Sequence, residues 1–213
     1  MDGVISMEDA RALVGDAKLW PRVRNFLWDF APQVHESWLE PNQMSLRDSP
    51  RVKRYILDSL GVEPCFHAFP KEDGSRILLL DGATLESAAK WLGALACAES
   101  LRRVTSGDVV RKLKSKLRGI YPDVFGYTAY FNVAAKNAET AKTPEEILAI
   151  GFKILFSQFA DLPKSLVARL KFKLPKSLCE LCVLCGKEEC AVSRSVVLKL
   201  FKLKFPEAYK LCC

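Results

Sequence analysis

From Leu85 to Leu101 the large apolar residues return every three or four positions, and what lies between them is small. Leu85, Ala88, Ala89, Leu92, Leu95, Ala96 and Leu101, led into by Ile77-Leu78-Leu79-Leu80, trace one apolar face at the period of an α-helix. Ala88, Ala89, Gly93, Ala94, Ala96, Cys97 and Ala98 leave so little side chain on this segment that a neighbouring helix can approach it closely. The pattern predicts a buried core helix around which other helices gather. Thr105-Ser106-Gly107-Asp108 closes it with turn and N-cap chemistry. A second helix follows, with Val109, Val110, Leu113 and Leu117 inward and Arg111, Lys112, Lys114, Lys116 and Arg118 toward water.

The same signals recur along the chain. Met7 to Leu19 is weakly specified, with Leu13 and Val14 on a short helix. Val23, Phe26, Leu27 and Phe30 then predict a helix over Arg22 to Phe30, ended by Pro32. Val34-His35-Glu36-Ser37-Trp38-Leu39-Glu40-Pro41 is an aromatic-bearing stretch between prolines. Ser49-Pro50 opens a helix that runs to Leu60 and stops at Gly61, whereas Pro64 to Ser75 reads as loop. Tyr121-Pro122-Asp123 is expected to start a helix whose Val124, Phe125, Tyr127, Tyr130 and Phe131 belong to the core. Thr143-Pro144-Glu145-Glu146 is the best cap in the chain: an N-cap threonine, proline at the first helical position and a glutamate placed to close a capping box. The helix it opens is apolar on nearly every side through Ile147, Leu148, Ile150, Phe152, Ile154, Leu155, Phe156 and Phe159, so it should lie buried against the central one. Leu162-Pro163-Lys164-Ser165-Leu166 recurs as Leu174-Pro175-Lys176-Ser177-Leu178, predicting two short proline-started helices. The first ends in the basic-apolar alternation Arg169-Leu170-Lys171-Phe172-Lys173-Leu174. Ser193 to Leu203 is the last helix, and Pro206 breaks it before a short tail.

These elements predict an all-α fold: a compact, irregular multi-helix domain around a central alanine- and leucine-rich helix, with little or no strand. At 49% hydrophobic and 27% charged, 213 residues can bury a real core, so residues 1–213 are expected to form a single domain. Within it, residues 1–70 are less regular and residues 176–213 are Cys-rich C-terminal helices. No segment reaches the roughly 18 uninterrupted apolar residues of a membrane span, and the first residues lack the basic start and apolar run of an export signal. The expectation is a cytosolic protein whose eight cysteines are thiols rather than disulfides.

A formal charge of +7 permits nucleic acid, anionic lipid or an acidic protein face as partner without selecting one. The basic residues of 102–118 and 164–176 stand at helical spacing beside apolar stripes, so the preferred reading is the solvated faces of packed helices. The cluster at 102–118 also lacks the interleaved aromatics of a base-stacking surface. Cys179, Cys182, Cys185 and Cys190 approach the spacing of a cluster-binding run, and zinc could draw four thiolates from these with Cys212 and Cys213. The last interval is too long, no proline follows Cys190, and no pair of isolated Cys-x2-Cys motifs brackets a finger, so packed or incidental thiols are favoured and no metal or other cofactor is expected. His35 and His67 are the only histidines. His35-Glu36 lacks the second histidine of a zinc protease helix, and Cys65 with His67 lacks an orienting third group. No glycine pattern cradles a phosphate, and no catalytic residue is expected.

Leu78-Leu79-Leu80-Asp81-Gly82 through Trp91-Leu92-Gly93, Leu101-Arg102-Arg103-Val104 and Gly107 to Leu117 together resemble the K-type cytosolic accessory protein of bacterial type III secretion systems, the SctK/YscK/PscK family. Two further stretches share the resemblance: His35-Glu36-Ser37-Trp38-Leu39-Glu40, and Ile150-Gly151-Phe152 through Arg169-Leu170-Lys171-Phe172-Lys173-Leu174-Pro175. The Cys-rich end from Cys179 departs from the family pattern. The resemblance implies a non-catalytic adaptor of the cytosolic sorting platform, at the cytosolic face of the bacterial inner membrane. It would join the inner-membrane ring protein's cytosolic forkhead-like domain to the pod, C-ring-like protein, and through that to the stator and ATPase. Arg102, Arg103, Arg111, Lys112, Lys114 and Arg118 are the expected partner-binding basic face. A nucleic-acid-binding helical domain using Arg102 to Arg118, and a thiol-ligated metal protein, are the competing readings.

Overall fold

The structure, a computed structural model, describes residues 19–62, 74–131, 133, 138, 143–177 and 192–212. These residues form an all-α fold with no strand among them. In chain order the helices are α1 (Leu19–Leu27), α2 (Pro41–Ser45), α3 (Pro50–Ser59), α4 (Gly82–Ala96), α5 (Ala98–Arg102), α6 (Gly107–Lys116), α7 (Pro144–Ser157), α8 (Lys164–Phe172), α9 (Arg194–Lys204) and α10 (Pro206–Cys212). Single 3-10 turns stand at Ala31–Gln33, Glu36–Trp38, Ser75–Leu79 and Asp123–Gly126. The chain divides into two compact units. The first holds Met1–Gly82, Leu162–Lys176 and Leu211–Cys213, and the second holds Ala83–Asp161 and Ser177–Lys210.

The second unit is organised by the crossing of α4 and α7. A β-carbon placed on Gly93 would lie 1.9 Å from the Ile147 carbonyl oxygen, and one placed on Gly151 would lie 1.8 Å from that of Ala89. The two backbones therefore touch, with each glycine seated against the facing helix. Leu85, Ala88, Ala89 and Leu92 of α4 and Ile147, Phe152, Ile154 and Leu155 of α7 fill the core around the crossing. The cap expected at Thr143 forms in full: Glu146 N–H donates to Thr143 Oγ1 at 3.2 Å, and Thr143 N–H donates to Glu146 Oε2 at 3.0 Å. Such a box adds about 1 kcal/mol to helix stability.

Three expectations change. The leucine run before α4 is not helical with it: Ser75–Leu79 is a 3-10 turn, Leu80 is extended (φ −69°, ψ 153°), and α4 starts afresh at Gly82. The helix expected from Tyr121 to Phe131 is only the turn Asp123–Gly126. Gly119 there takes a left-handed φ of 69° and Gly126 weakens helix formation, while the rings pair locally, Tyr121 with Phe125 and Tyr127 with Trp91. Val124 and Phe131 are buried as expected, but Tyr130 is 64% exposed. Pro206 ends α9 and also opens α10, since proline is as well suited to a first helical turn as to a stop.

In the first unit, Val23, Phe26 and Leu27 of α1 with Phe30 behind them are buried, and Pro50 opens α3 as the sequence indicates. Glu40 caps α2 through a box in which its own N–H donates to Gln43 Oε1 at 3.0 Å. The main correction concerns α8. Residues 166, 169, 170, 173 and 174 fall on one helical stripe, and that stripe faces the core. Arg169 is 2% exposed and Lys173 3%, beside the fully buried Leu166 and Leu170. Lys164 and Lys176 are solvated as expected, whereas these two cations are not. Lys176 and Ser177 are helical. Residues 178–191, with Cys179, Cys182, Cys185 and Cys190, lie outside the described residues, as do Cys65, His67 and the short helix expected around Leu13 and Val14.

Candidate functional site

The basic face expected in the second unit is exposed along its length. Arg102, Arg103, Arg111, Lys112, Lys114 and Arg118 all stand in solvent, while Leu113 and Leu117 anchor α6 to the core. The six are not equivalent. Arg102 is engaged at home: it pairs with Glu99 at 2.6 Å, donates to Thr128 Oγ1 at 3.0 Å and lies 5.6 Å from the centre of the Phe125 ring. Arg111 pairs with Asp108 one turn earlier. Arg103, Lys112, Lys114 and Arg118 form no ion pair among the described residues. Helical periodicity sets Lys112 and Lys116 on one flank of α6, Lys114 on the other, and Arg111 on the crest between. This is a ridge of positive charge with a few ion pairs at its edge, and such exposed pairs are worth less than about 1 kcal/mol each.

A second constellation joins two stretches far apart in sequence. His35 N–H donates to the Phe172 carbonyl, Trp38 Nε1–H to the Leu174 carbonyl and Lys176 N–H to Ser37 Oγ, each at 2.8 Å. The Trp38 ring meets Phe172 edge-on at 5.0 Å, with the Lys171 and Lys176 ammonium groups 5.5 and 5.8 Å from its centre. His35 itself caps the turn Glu36–Trp38, its Nδ1 accepting from Ser37 N–H at 3.1 Å. That is a structural use of the imidazole: the Ser37 hydroxyl, 2.9 Å from Nδ1, belongs to the same turn and accepts from Lys176 N–H, and no carboxylate is hydrogen-bonded to the ring among the described residues.

Arg47, Arg169 and Lys173 of the first unit are spent on main-chain carbonyls at turn and helix ends. Arg47 donates to the carbonyls of Ala31, Pro32 and Val34 at the end of one 3-10 turn. Arg169 donates to Ser165 at 3.0 Å and reaches the last carbonyl of α1, on Leu27, at 3.4 Å. Lys173 Nζ donates to Leu78 at 2.7 Å and Leu80 at 2.9 Å, closing the turn Ser75–Leu79, with the Phe26 ring 4.8 Å away. Positive groups suit these ends, where carbonyls lack intrahelical partners. Burial pushes the Lys173 amine down to about 7, against Asp81, which favours its charged form, and with Arg22, which opposes it.

Lys173 also lines a cleft of about 370 Å³. Arg22, Asn25 and Gln33 reach into it, Asp81 stands on its wall, and Pro32 and Leu79 supply apolar surface. Gly82 completes it: a β-carbon there would lie 2.4 Å from the Lys173 carbonyl oxygen. Neither the cleft nor the Trp38 junction was legible in advance. The signal that existed was the placement of Arg169 and Lys173 at the same helical steps as Leu166 and Leu170.

No catalytic group assembles in either unit among the described residues. Burial, reinforced by Glu146, pushes the Cys97 thiol up to about 12, so it stays protonated and weakly nucleophilic. No cluster of His, Cys, Asp and Glu among the described residues could hold a metal ion, and no described helix is long and apolar enough to cross a membrane. No curated protein and no solved structure matches the chain. One protein family does: YOP proteins translocation protein K (YscK), over residues 23–212. That span contains both stretches that meet at Trp38, the α4–α7 crossing and the basic ridge of α6, and the chain belongs to the YscK family, a component of type III secretion.

Proposed function

We propose that this chain is a non-catalytic adaptor of the type III secretion sorting platform, linking the inner-membrane ring protein's cytosolic domain to the pod, C-ring-like protein and so to the stator and ATPase. It would work at the cytosolic face of the inner membrane, held there by proteins. The observation that carries this reading is the ridge of α6, where Lys112, Lys114 and Arg118 stand exposed and without ion pairs among the described residues. A surface of this kind steers and registers an acidic partner face, which is what an adaptor needs and an enzyme does not. Membership of a secretion family agrees with it.

The test is a pull-down with the full chain from a secreting bacterium. Wild type should recover the ring and pod proteins. Arg111→Glu, Lys112→Glu and Lys114→Glu combined should weaken one of the two by about tenfold or more, with the circular dichroism unchanged. Undiminished recovery of both would remove the α6 ridge from the account.

A further inference from the structure

We propose that the cleft beside Lys173 receives one acidic side chain from an extended segment of a partner protein, with Arg22 taking the carboxylate and the amides of Asn25 and Gln33 taking the adjoining main chain. Arg22, Asn25 and Gln33 converge on one cavity, yet their side chains make no hydrogen bond or ion pair among the described residues. A guanidinium offers a carboxylate two parallel donors, and each primary amide offers one donor and one acceptor, the complement of an extended peptide unit. Pro32 and Leu79 give the stem of a glutamate an apolar wall, and about 370 Å³ admits a side chain with its flanking peptide.

Charge narrows the ligand further. Arg22 faces Asp81 across the cleft, and Lys173, its amine pushed down to about 7 by burial, adds only part of a positive charge, a balance that suits a single negative charge better than a phosphate dianion. Lys173 already donates to Leu78 and Leu80, so it forms the floor of the cleft and gives no bond to the ligand. That the segment belongs to a secretion partner rests on the adaptor reading. The chemistry of the cleft does not, and a pull-down that failed would leave it standing.

The experiment is an NMR titration of the full isotope-labelled chain with N-acetyl-glutamate N-methylamide, its glutamine analogue and inorganic phosphate. The glutamate probe should cause saturable shifts at Arg22, Asn25 and Gln33 and none on α6. The glutamine analogue should bind at least about fivefold more weakly, and Arg22→Gln, at an exposed position, should reduce glutamate binding by a similar factor. Equal binding of the two peptide probes, tighter binding of phosphate, or no saturable shift in the cleft would each overturn the proposal.

Discussion

Gly93→Ala should lower the unfolding free energy by about 3 kcal/mol, and Gly93→Leu should abolish the cooperative transition of the second unit. On an isolated helix the alanine change would help by about 1 kcal/mol. Here the added carbon meets the Ile147 carbonyl oxygen at 1.9 Å and its carbon at 2.8 Å, and these are backbone atoms that cannot swing aside. Relief requires α4 and α7 to separate, which loosens the packing of Leu92, Ile147, Phe152 and Leu155 together. Gly151→Ala should behave alike, since its carbon would meet Ala89 oxygen at 1.8 Å. Because one separation accommodates both, the double variant should cost clearly less than the sum of the two. Gly107→Ala is the control: it has nothing within 4 Å and should change stability by less than about 1 kcal/mol. Urea denaturation followed by circular dichroism reads all five, and near-neutral behaviour at Gly93 would contradict the backbone contact.

Lys173→Met should cost about 2–3 kcal/mol at pH 8, because methionine fills the space but leaves the Leu78 and Leu80 carbonyls without a donor. The loss should also depend on pH. Burial holds the folded amine near 7 against an ordinary value of 10.5, so between those values the unfolded chain binds a proton that the folded chain does not. Wild-type stability therefore rises with pH across that window through this group, by at most about 1.4 kcal/mol per unit, and below pH 7 the fold carries the burden of a buried ammonium. Cysteines and tyrosines titrate in the same range, so the quantity to measure is the difference between wild type and variant at pH 6.5, 8 and 9.5. That difference should widen as pH rises. A constant difference would mean that the two carbonyls and the Phe26 ring outweigh burial and keep the amine charged throughout.

The sequence carried more of the second unit than of the first. Small residues at Ala88, Ala89 and Gly93 announce a close helix approach, and Thr143-Pro144-Glu145-Glu146 announces its own cap, because both signals are local and each has few physical uses; the answering role of Gly151 comes from the structure. Arg169 and Lys173 depart from their pattern, because alternating basic and apolar residues suggest a wet flank and only the helical step from Leu166 and Leu170 reveals that they point inward. The helix expected from Tyr121 gives way for a related reason: aromatic spacing favours a helix, but Gly119 precedes the segment, Gly126 interrupts it, and the rings find partners in the tighter turn and on α4. The Trp38 junction depends on contacts spanning more than a hundred residues, which no local pattern encodes. The α6 ridge was legible as exposed, since five cations cannot all turn away from water beside Leu113 and Leu117. That Arg111 on the ridge and Arg102 on α5 are already paired is visible only in the structure.

On the proposed reading, this chain serves secretion through its surfaces and not through chemistry. Secretion by the type III pathway in cells lacking the chain, restored with the Arg111→Glu, Lys112→Glu and Lys114→Glu variant, measures that most directly. With the variant folded and present at the wild-type level, secretion should fall by about tenfold or more. Full secretion by the charge-reversed chain would contradict the account.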